Sequence, residues 1–463
     1  MTYDEFIESK RFVVESSGFE PGDLNSQLFG FQKDIVTWAI KRGRSAIFAG
    51  CGLGKTPMQL EWAKHVHEKT GGNVLVLAPL AVSKQTVREG EKFGITVHPC
   101  RSPEDVKPGI NITNYEILHK FDNEFSGVVL DESSILKSYT AKTRNEIIDR
   151  FERTPYKLAC TATPAPNDFM ELGNHAEFLN VMTRTEMLSM FFVHDGGETQ
   201  KWRLKGHAEM KFWEWVSSWG VVLEKPSDLG YDDDDFLLPP LRTKEIVVEV
   251  EKQVEGSLFG FEAKTLQERQ SARRETVEER AKAAADIANN THGPVMVWCD
   301  RNAESEMLSK LIPDAVEVKG SDSPEHKENA MIGFADGEIR VLVSKPSIAG
   351  FGMNWQHCSK MIFVGLSDSF EQYYQAVRRC WRFGQTKPVD VFVITSSLEG
   401  AVIKNIRRKE EDAQTMLNSM IAFTKHITSK NIRSNTRETT EYLPTQTMRI
   451  PSWLKEEQLY ECV

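Results

Sequence analysis

Three clusters of residues in this chain could do chemistry. In the stretch 46–59, AIFAGCGLGKTPMQ, three glycines (Gly50, Gly52 and Gly54) alternate with Cys51 and Leu53 and lead into Lys55-Thr56. Glycine adopts positive φ at little steric cost, so such a loop can curl and aim its N–H groups at one anion. Lys55 then adds a point charge for the outer phosphates of a nucleotide, and Thr56 offers a hydroxyl to Mg²⁺. The helix expected to follow turns its positive end toward the same anion. The strict pattern wants glycine at position 49, where this chain has Ala49.

The second cluster is Asp131-Glu132, two adjacent carboxylates at the end of an apolar run, GVVLDE. One can hold Mg²⁺ through water, and the other can orient or deprotonate an attacking water. Thr161, Thr163 and Asn167 follow at the end of the next apolar run. Their polar groups fit either a sensor of the terminal phosphate or turn residues around Pro164 and Pro166. The third cluster is Arg378, Arg379 and Arg382, spaced to share one helix face. It reads either as a solvated basic helix end or as guanidinium groups that reach a γ-phosphate held elsewhere. Gln32, at the start of an amphipathic stretch, has the donor and acceptor needed to pair with an adenine edge.

These groups need a scaffold, and the hydrophobic pattern supplies one. Short apolar runs at 46–49, 73–78, 110–115, 127–132 and 156–161 alternate with helical stretches. That alternation implies an α/β domain with a parallel sheet covered by helices on both faces. Ligands in such sheets collect at the carboxyl ends of the strands, where the polar clusters lie. The alternation resumes at 243–250, 295–299, 315–319, 340–344, 360–365 and 389–395, without a second phosphate loop. The boundaries expected are a lead-in at 1–26, a first domain at 27–225, a linker at 226–242, a second domain at 243–425 and a tail at 426–463. From about residue 168 the first domain carries an aromatic-rich helical insertion, and the linker holds the acidic loop YDDDDF, 231–236.

Composition narrows the class. The chain has 463 residues, 40% of them hydrophobic, which suits two or three packed domains. No apolar run reaches the ~18–20 residues that span a bilayer, and the amino-terminal residues do not read as a secretory signal. Seven cysteines are scattered without a CxxC pair, a pattern that favours neither disulfides nor a zinc site. A reducing cytoplasm is the compartment expected. A net charge of −10 argues against a nucleic-acid-coated protein but leaves room for a local basic track.

The motifs, in order, resemble those of the superfamily-two helicase-like ATPases (DEAD/DEAH-like), and within them the Swi/Snf type of double-stranded DNA translocase. The resemblance runs from about Leu28 to Glu410. FQKDIVTWA is similar to the adenine-reading glutamine motif, AGCGLGKTPMQ to motif I, VLVLAPLAV to motif Ia, ITNYEIL to motif Ib, VVLDESSILKS to motif II and CTATPAPN to motif III. In the second half VMVWCDR resembles motif IV, SIAGFGMNW motif V and QAVRRCWRFGQ motif VI. Alanine at position 49 is a variant common in helicase-like ATPases, and the compact size resembles versions carried by bacteriophages.

The resemblance implies two RecA-like domains in tandem that bind ATP and Mg²⁺ between them. Gln32 would read adenine, the loop Gly50–Thr56 would hold phosphate, and Thr56 and Asp131 would hold the metal. Glu132 would activate water, and Gly352, Arg379 and Arg382 would complete the site from the second lobe. Pro79, Leu80, Thr113, Asn114, Gly350 and Asn354 would contact a nucleic-acid backbone. The activity implied is a DNA-stimulated ATPase translocating on duplex DNA. The alternatives are a strand-separating DNA or RNA helicase and a nucleotide-gated binding module with weak hydrolysis. The tail could meet a protein partner. Two departures stand out: Ser133-Ser134 follow Asp-Glu where the family often has alanine and histidine, and motif III reads Thr-Ala-Thr.

Overall fold

A computed structural model describes residues 16–79, 82–137, 141–165, 168–194, 202–249, 271, 273–350, 353–367, 369–397 and 402–433. The expectations for Leu80, Asn167, Gly352 and the tail beyond residue 433 lie outside the described residues.

The first lobe is built on a seven-stranded sheet whose ladders are all parallel. Its strands are β1 (Arg44–Ala49), β2 (Val74–Ala78), β3 (Val97–Pro99), β4 (Ile110–Asn114), β5 (Gly127–Asp131), β6 (Tyr156–Thr161) and β9 (Gly220–Leu223), in the order β3-β4-β2-β5-β6-β1-β9. Sandwiched strands read as unbroken apolar runs, and every residue of β2 is buried. One covering helix, Gly30–Arg42, buries Phe31, Ile35, Val36, Trp38, Ala39 and Ile40 on a single stripe. The residues before it are tied to it: the Ser17 and Phe19 amides donate to the Arg42 and Ile40 carbonyls.

The described residues between 168 and 223 carry the helices Leu172–Phe178, Arg184–Phe191 and Glu209–Trp219, and they also return a strand to the sheet. The helix Glu209–Trp219 buries Phe212, Trp213, Trp215 and Trp219 and runs directly into β9, which pairs with β1 through Ala46 and Gly220. Earlier in the chain, β7 (Phe192–His194) and β8 (Trp202–Leu204) pair antiparallel as a separate two-stranded sheet.

The second lobe carries a six-stranded parallel sheet in the order β10-β15-β14-β11-β13-β12. These are β10 (Leu241–Val248), β11 (Val295–Trp298), β12 (Ala315–Val318), β13 (Val341–Ser344), β14 (Lys360–Phe363) and β15 (Val389–Ser396). The two-domain α/β architecture therefore matches the alternation in the sequence.

The last helix, Val402–Arg433, departs from the boundaries expected. It leaves the second lobe after β15, yet its described side chains pack on the first. Met420 joins the first lobe's core, with Met416, Leu417 and Ile421 against it. Phe423 stacks on Trp213 with ring centroids 5.9 Å apart, and Gln414 donates to Glu224 at 3.0 Å.

Candidate nucleotide site between the lobes

The order of the first sheet brings the two halves of the chemistry together. Strand β6 lies between β1 and β5, with Phe48 opposite Thr161 and Asp131 opposite Cys160. Three strands thus end level, and the glycine loop, the acidic pair and Thr161 emerge side by side.

The loop after β1 is pinned where the Gly50 amide donates to the Leu223 carbonyl at 2.9 Å. Gly54 caps the helix Lys55–Thr70 in the left-handed conformation, φ +76°, and a Cβ there would lie 2.3 Å from Gln32 Nε2. Gly52 has φ +92°, and a Cβ there would lie 2.8 Å from the Phe383 amide nitrogen of the second lobe. The two positions need glycine for both conformation and close approach. Lys55 bends back, its Nζ donating to the Ala49 and Gly50 carbonyls at 2.8 and 3.2 Å.

Gln32 is buried. Its Nε2 donates to the Leu53 carbonyl at 2.9 Å and its Oε1 accepts from the Phe29 amide at 3.0 Å. One donor and one lone pair remain on the amide after these bonds. Asp131 receives Gln59 Nε2 at 2.8 Å on Oδ1, while Tyr115 donates to its backbone carbonyl at 2.8 Å. Burial pushes the Asp131 carboxyl above the usual range; the Gln59 bond opposes that, Glu132 adds to it, and Lys55 and Arg379 oppose it.

Glu132 has φ +60° without being glycine, a conformation that costs about 1–3 kcal/mol and clusters at functional sites. Its Oε1 accepts from Thr161 Oγ1 at 2.5 Å and from Ser134 Oγ at 3.1 Å. Ser133 Oγ lies 3.1 Å from His175 Nε2. Burial holds that imidazole down to about 4, so it is neutral near pH 7.

From the second lobe, the helix Phe370–Val377 and the turn after it bring in the arginines. Arg379 donates through Nε and Nη2 to the carbonyl and side-chain oxygen of Gln375 at 3.0 and 2.9 Å, and through Nη1 to the Met353 carbonyl at 3.3 Å. Arg382 Nη1 reaches the same Met353 carbonyl at 3.3 Å. Its Nε is buried without a partner, as are Gln375 Nε2 and Asn354 Oδ1. Burial, then the neighbouring Arg379 charge, pulls Arg382 down to about 10. Arg378 instead stacks over Trp381, 4.4 Å from the ring centroid.

Both lobes face one cleft of about 310 Å³, lined by Gln32, Gly52, Lys55, Thr56, Asp131, Glu132, Asn354, Arg379 and Arg382. Crowded guanidinium groups and a lysine folded onto carbonyls concentrate positive charge in the cleft, a setting suited to an anion. Asn354, expected on a nucleic-acid track, therefore sits at the cleft. Three rings missed in the sequence line it as well: Phe29, Phe236 and Phe383. Phe236 lies within the acidic linker and packs 5.1 Å from Phe29 and 4.9 Å from Phe383 between centroids. An aromatic beside four aspartates gave no periodic signal.

A second cavity, about 620 Å³, also lies between the lobes, with Pro79, Thr113, Asn114, Lys84, Arg101 and Lys327 on its walls. Thr113 is buried, and its hydroxyl donates to the Cys100 carbonyl at 2.9 Å. Asn114 Oδ1 accepts from the Ile117 amide at 3.2 Å. The Thr113 hydroxyl proton and the Asn114 side-chain oxygen thus have partners within the lobe. Gly350 ends the short helix Pro346–Ala349, whose Ser347 and Ile348 reach the same cavity. Ion pairs bridge the lobes: Lys84 to Glu328 at 2.9 Å, Arg88 to Asp336 at 3.3 Å, and Lys137 to Glu371.

Residues 276–384 match the family described as "Helicase conserved C-terminal domain". The DNA annealing helicase and endonuclease ZRANB3 of Mus musculus is 21% identical over 454 residues, covering 86% of this chain and 42% of that protein. The TATA-binding protein-associated factor mot1 of Aspergillus fumigatus is 28% identical over 124 residues, 26% of this chain and 7% of its own length. The chain thus spans about two-fifths of the ZRANB3 relative. Among solved structures, the Sulfolobus solfataricus SWI2/SNF2 ATPase core in complex with dsDNA aligns at 16% identity and a TM-score of 0.42, over 90% of this chain and 98% of that one. The domain match, and a relative aligned along most of this chain, support its resemblance to the superfamily-two helicase-like ATPases of the Swi/Snf type.

Proposed function

We propose that this protein is an ATP-driven motor on nucleic acid, a DNA-stimulated ATPase that translocates on duplex DNA. The observation that carries the reading is the shared cleft: Lys55, Asp131 and Glu132 come from one sheet, and Arg379 and Arg382 from the other lobe. The buried, unpartnered Arg382 Nε is a donor that fits an anionic guest, and the unpartnered Asn354 Oδ1 is an acceptor for a donor group on it. Lys55 and the loop amides would grip the phosphates, and Gln32 would use its remaining donor and acceptor on the base. Thr56 and the free oxygen of Asp131 would hold Mg²⁺, which when bound draws charge off the phosphates.

Hydrolysis joins a water oxygen to the terminal phosphorus and breaks its bond to the bridging oxygen. Glu132 takes the water's proton. The arginines meet the charge that develops, a contribution of the size attributed to arginine fingers, ~10³-fold or more. Nucleotide favours a closed cleft only as far as it binds that state better than the open one. A nucleic acid along Pro79, Lys84, Arg101 and Lys327 would be gripped through phosphates, with little sequence preference. The relative whose name specifies DNA annealing supports DNA as the substrate.

The test is steady-state ATP hydrolysis with and without duplex DNA, with Lys55→Ala as the inactive control. Duplex should stimulate the wild type, and Lys55→Ala should abolish turnover. Hydrolysis indifferent to DNA defeats the motor reading. Displacement of a triplex-forming strand without melting of the duplex separates translocation from strand separation.

A further inference from the structure

The Ser133-Ser134 pair that sets this chain apart has a place in the geometry. Glu132 sits on a left-handed backbone, φ +60°, so its carboxylate direction is not secured by ordinary strand or helix geometry. Two hydroxyls secure it instead, Thr161 from the end of β6 and Ser134 from the turn that follows, both on Oε1. Ser134 is buried and reaches the carboxylate two residues back. Thr161 Oγ1 in turn accepts from the Thr163 amide at 3.0 Å, which orients its proton toward Glu132. On the other side of the turn, Ser133 is tied to His175, itself buried edge-on against Phe48 at 5.2 Å between ring centroids. The turn that presents Ser134 is thereby anchored to the core of the lobe.

We propose that Ser134 is a positioning residue for Glu132: with Thr161 it saturates one carboxylate oxygen, so that the other is held toward the cleft for the attacking water. The Ser133–His175 tether keeps the turn in register. The pair thus gives the turn after Asp-Glu a positioning role that needs no histidine. This inference rests on the ATPase reading of the same site.

Both are tested in one set of ATPase measurements on the full chain with duplex DNA, using wild type, Lys55→Ala, Ser134→Ala, Ser134→Thr and Thr161→Val. A hydrogen bond to a charged group is worth enough to cost ten- to a hundredfold in rate when removed (an order-of-magnitude range). Ser134→Ala should therefore lower kcat about tenfold or more while KM for ATP stays within about twofold, because ground-state binding does not pass through Ser134. Ser134→Thr, which keeps the hydroxyl, should restore kcat. Thr161→Val should show the same kcat-only loss, an independent probe of the same oxygen. Unfolding temperature is followed alongside. The positioning role is overturned if the wild type turns over and Ser134→Ala and Thr161→Val do so equally well. It is also overturned if their losses track a rise in KM and a fall in unfolding temperature that Ser134→Thr does not reverse. A wild type no more active than Lys55→Ala defeats the ATPase reading itself, and the positioning role with it.

Discussion

Replacing Arg382 with methionine should make the nucleotide-free protein more stable and nearly inactive. Arg382 and Arg379 both reach the Met353 carbonyl at 3.3 Å, so two cations converge on one neutral oxygen. The fall of Arg382 from an arginine's ordinary value to about 10 corresponds to roughly 3 kcal/mol of unfavourable environment as an upper bound. Losing the single bond to Met353 gives back about 1 kcal/mol. Methionine keeps the length and the packing of the stem, which leaves a net gain of about 1–2 kcal/mol. For lobes of this size that is a rise of about 2–8 °C in the nucleotide-free unfolding temperature. Turnover should fall by ~10³-fold if Arg382 meets transition-state charge. The assay pairs thermal unfolding without nucleotide with single-turnover ATP hydrolysis on DNA. Arg382→Met that melts below the wild type, or that hydrolyses at the wild-type rate, refutes the argument that the cleft stores unfavourable charge for an anion.

Two further outcomes follow from the same structure. Gly52→Ala should cut ATP turnover at least tenfold and lower the unfolding temperature, because alanine at φ +92° is strained and its Cβ would meet the Phe383 backbone across the cleft and oppose closure; normal turnover would show that the lobes need not approach so closely. Lys157 belongs to β6 and is buried, and burial, then Arg44, pulls it down to about 7, with Glu152 opposing. Its folded value lies below its unfolded one, so the unfolded chain holds the extra proton between about pH 7 and 10.4. Stability should therefore rise with pH across that window, by at most about 1.4 kcal/mol per pH unit, and be flat from this group below about 7. Urea melts at pH 7 and 9 should show that slope in the wild type and its loss in Lys157→Met. An identical slope in both would refute it.

What the sequence made legible is what local chemistry dictates. The glycine loop, the acidic pair and the arginine turn each carry their meaning within a dozen residues, and parallel-sheet topology then had to bring the first two together. Distant partners were invisible: Gln59 holds Asp131, and His175 holds Ser133, across spans that no pattern links. Strand β9 was hidden because four residues, Gly220–Leu223, follow a tryptophan-rich helix without a turn signal. Phe236 was hidden by its acidic neighbours, though the ring packs against both lobes. Thr113 and Asn114 were read by position alone, and the structure spends their side chains on the lobe's own backbone.

The last helix limits how such a machine could move. If the segment 224–240 between β9 and β10 were the sole tie, the second lobe could swing about it freely. Instead the chain leaves β15 and plants Met420 and Phe423 on the first lobe's aromatic helix. Between this helix, the Thr163–Ala165 turn and Tyr373, Tyr374 and Trp381 of the second lobe lies a mostly apolar cavity of about 250 Å³. Opening the nucleotide cleft must therefore either carry the helix with the first lobe and shear it against the second, or break the Trp213–Phe423 stack. Shear is the cheaper course, since stacked aromatic pairs and buried methionines resist separation while an imperfectly filled apolar contact tolerates sliding. The Thr163 side of that cavity leads back through Thr161 to Glu132. The proposed lobe movement and the carboxylate proposed to activate water are thus joined by two hydrogen bonds and one loosely packed contact.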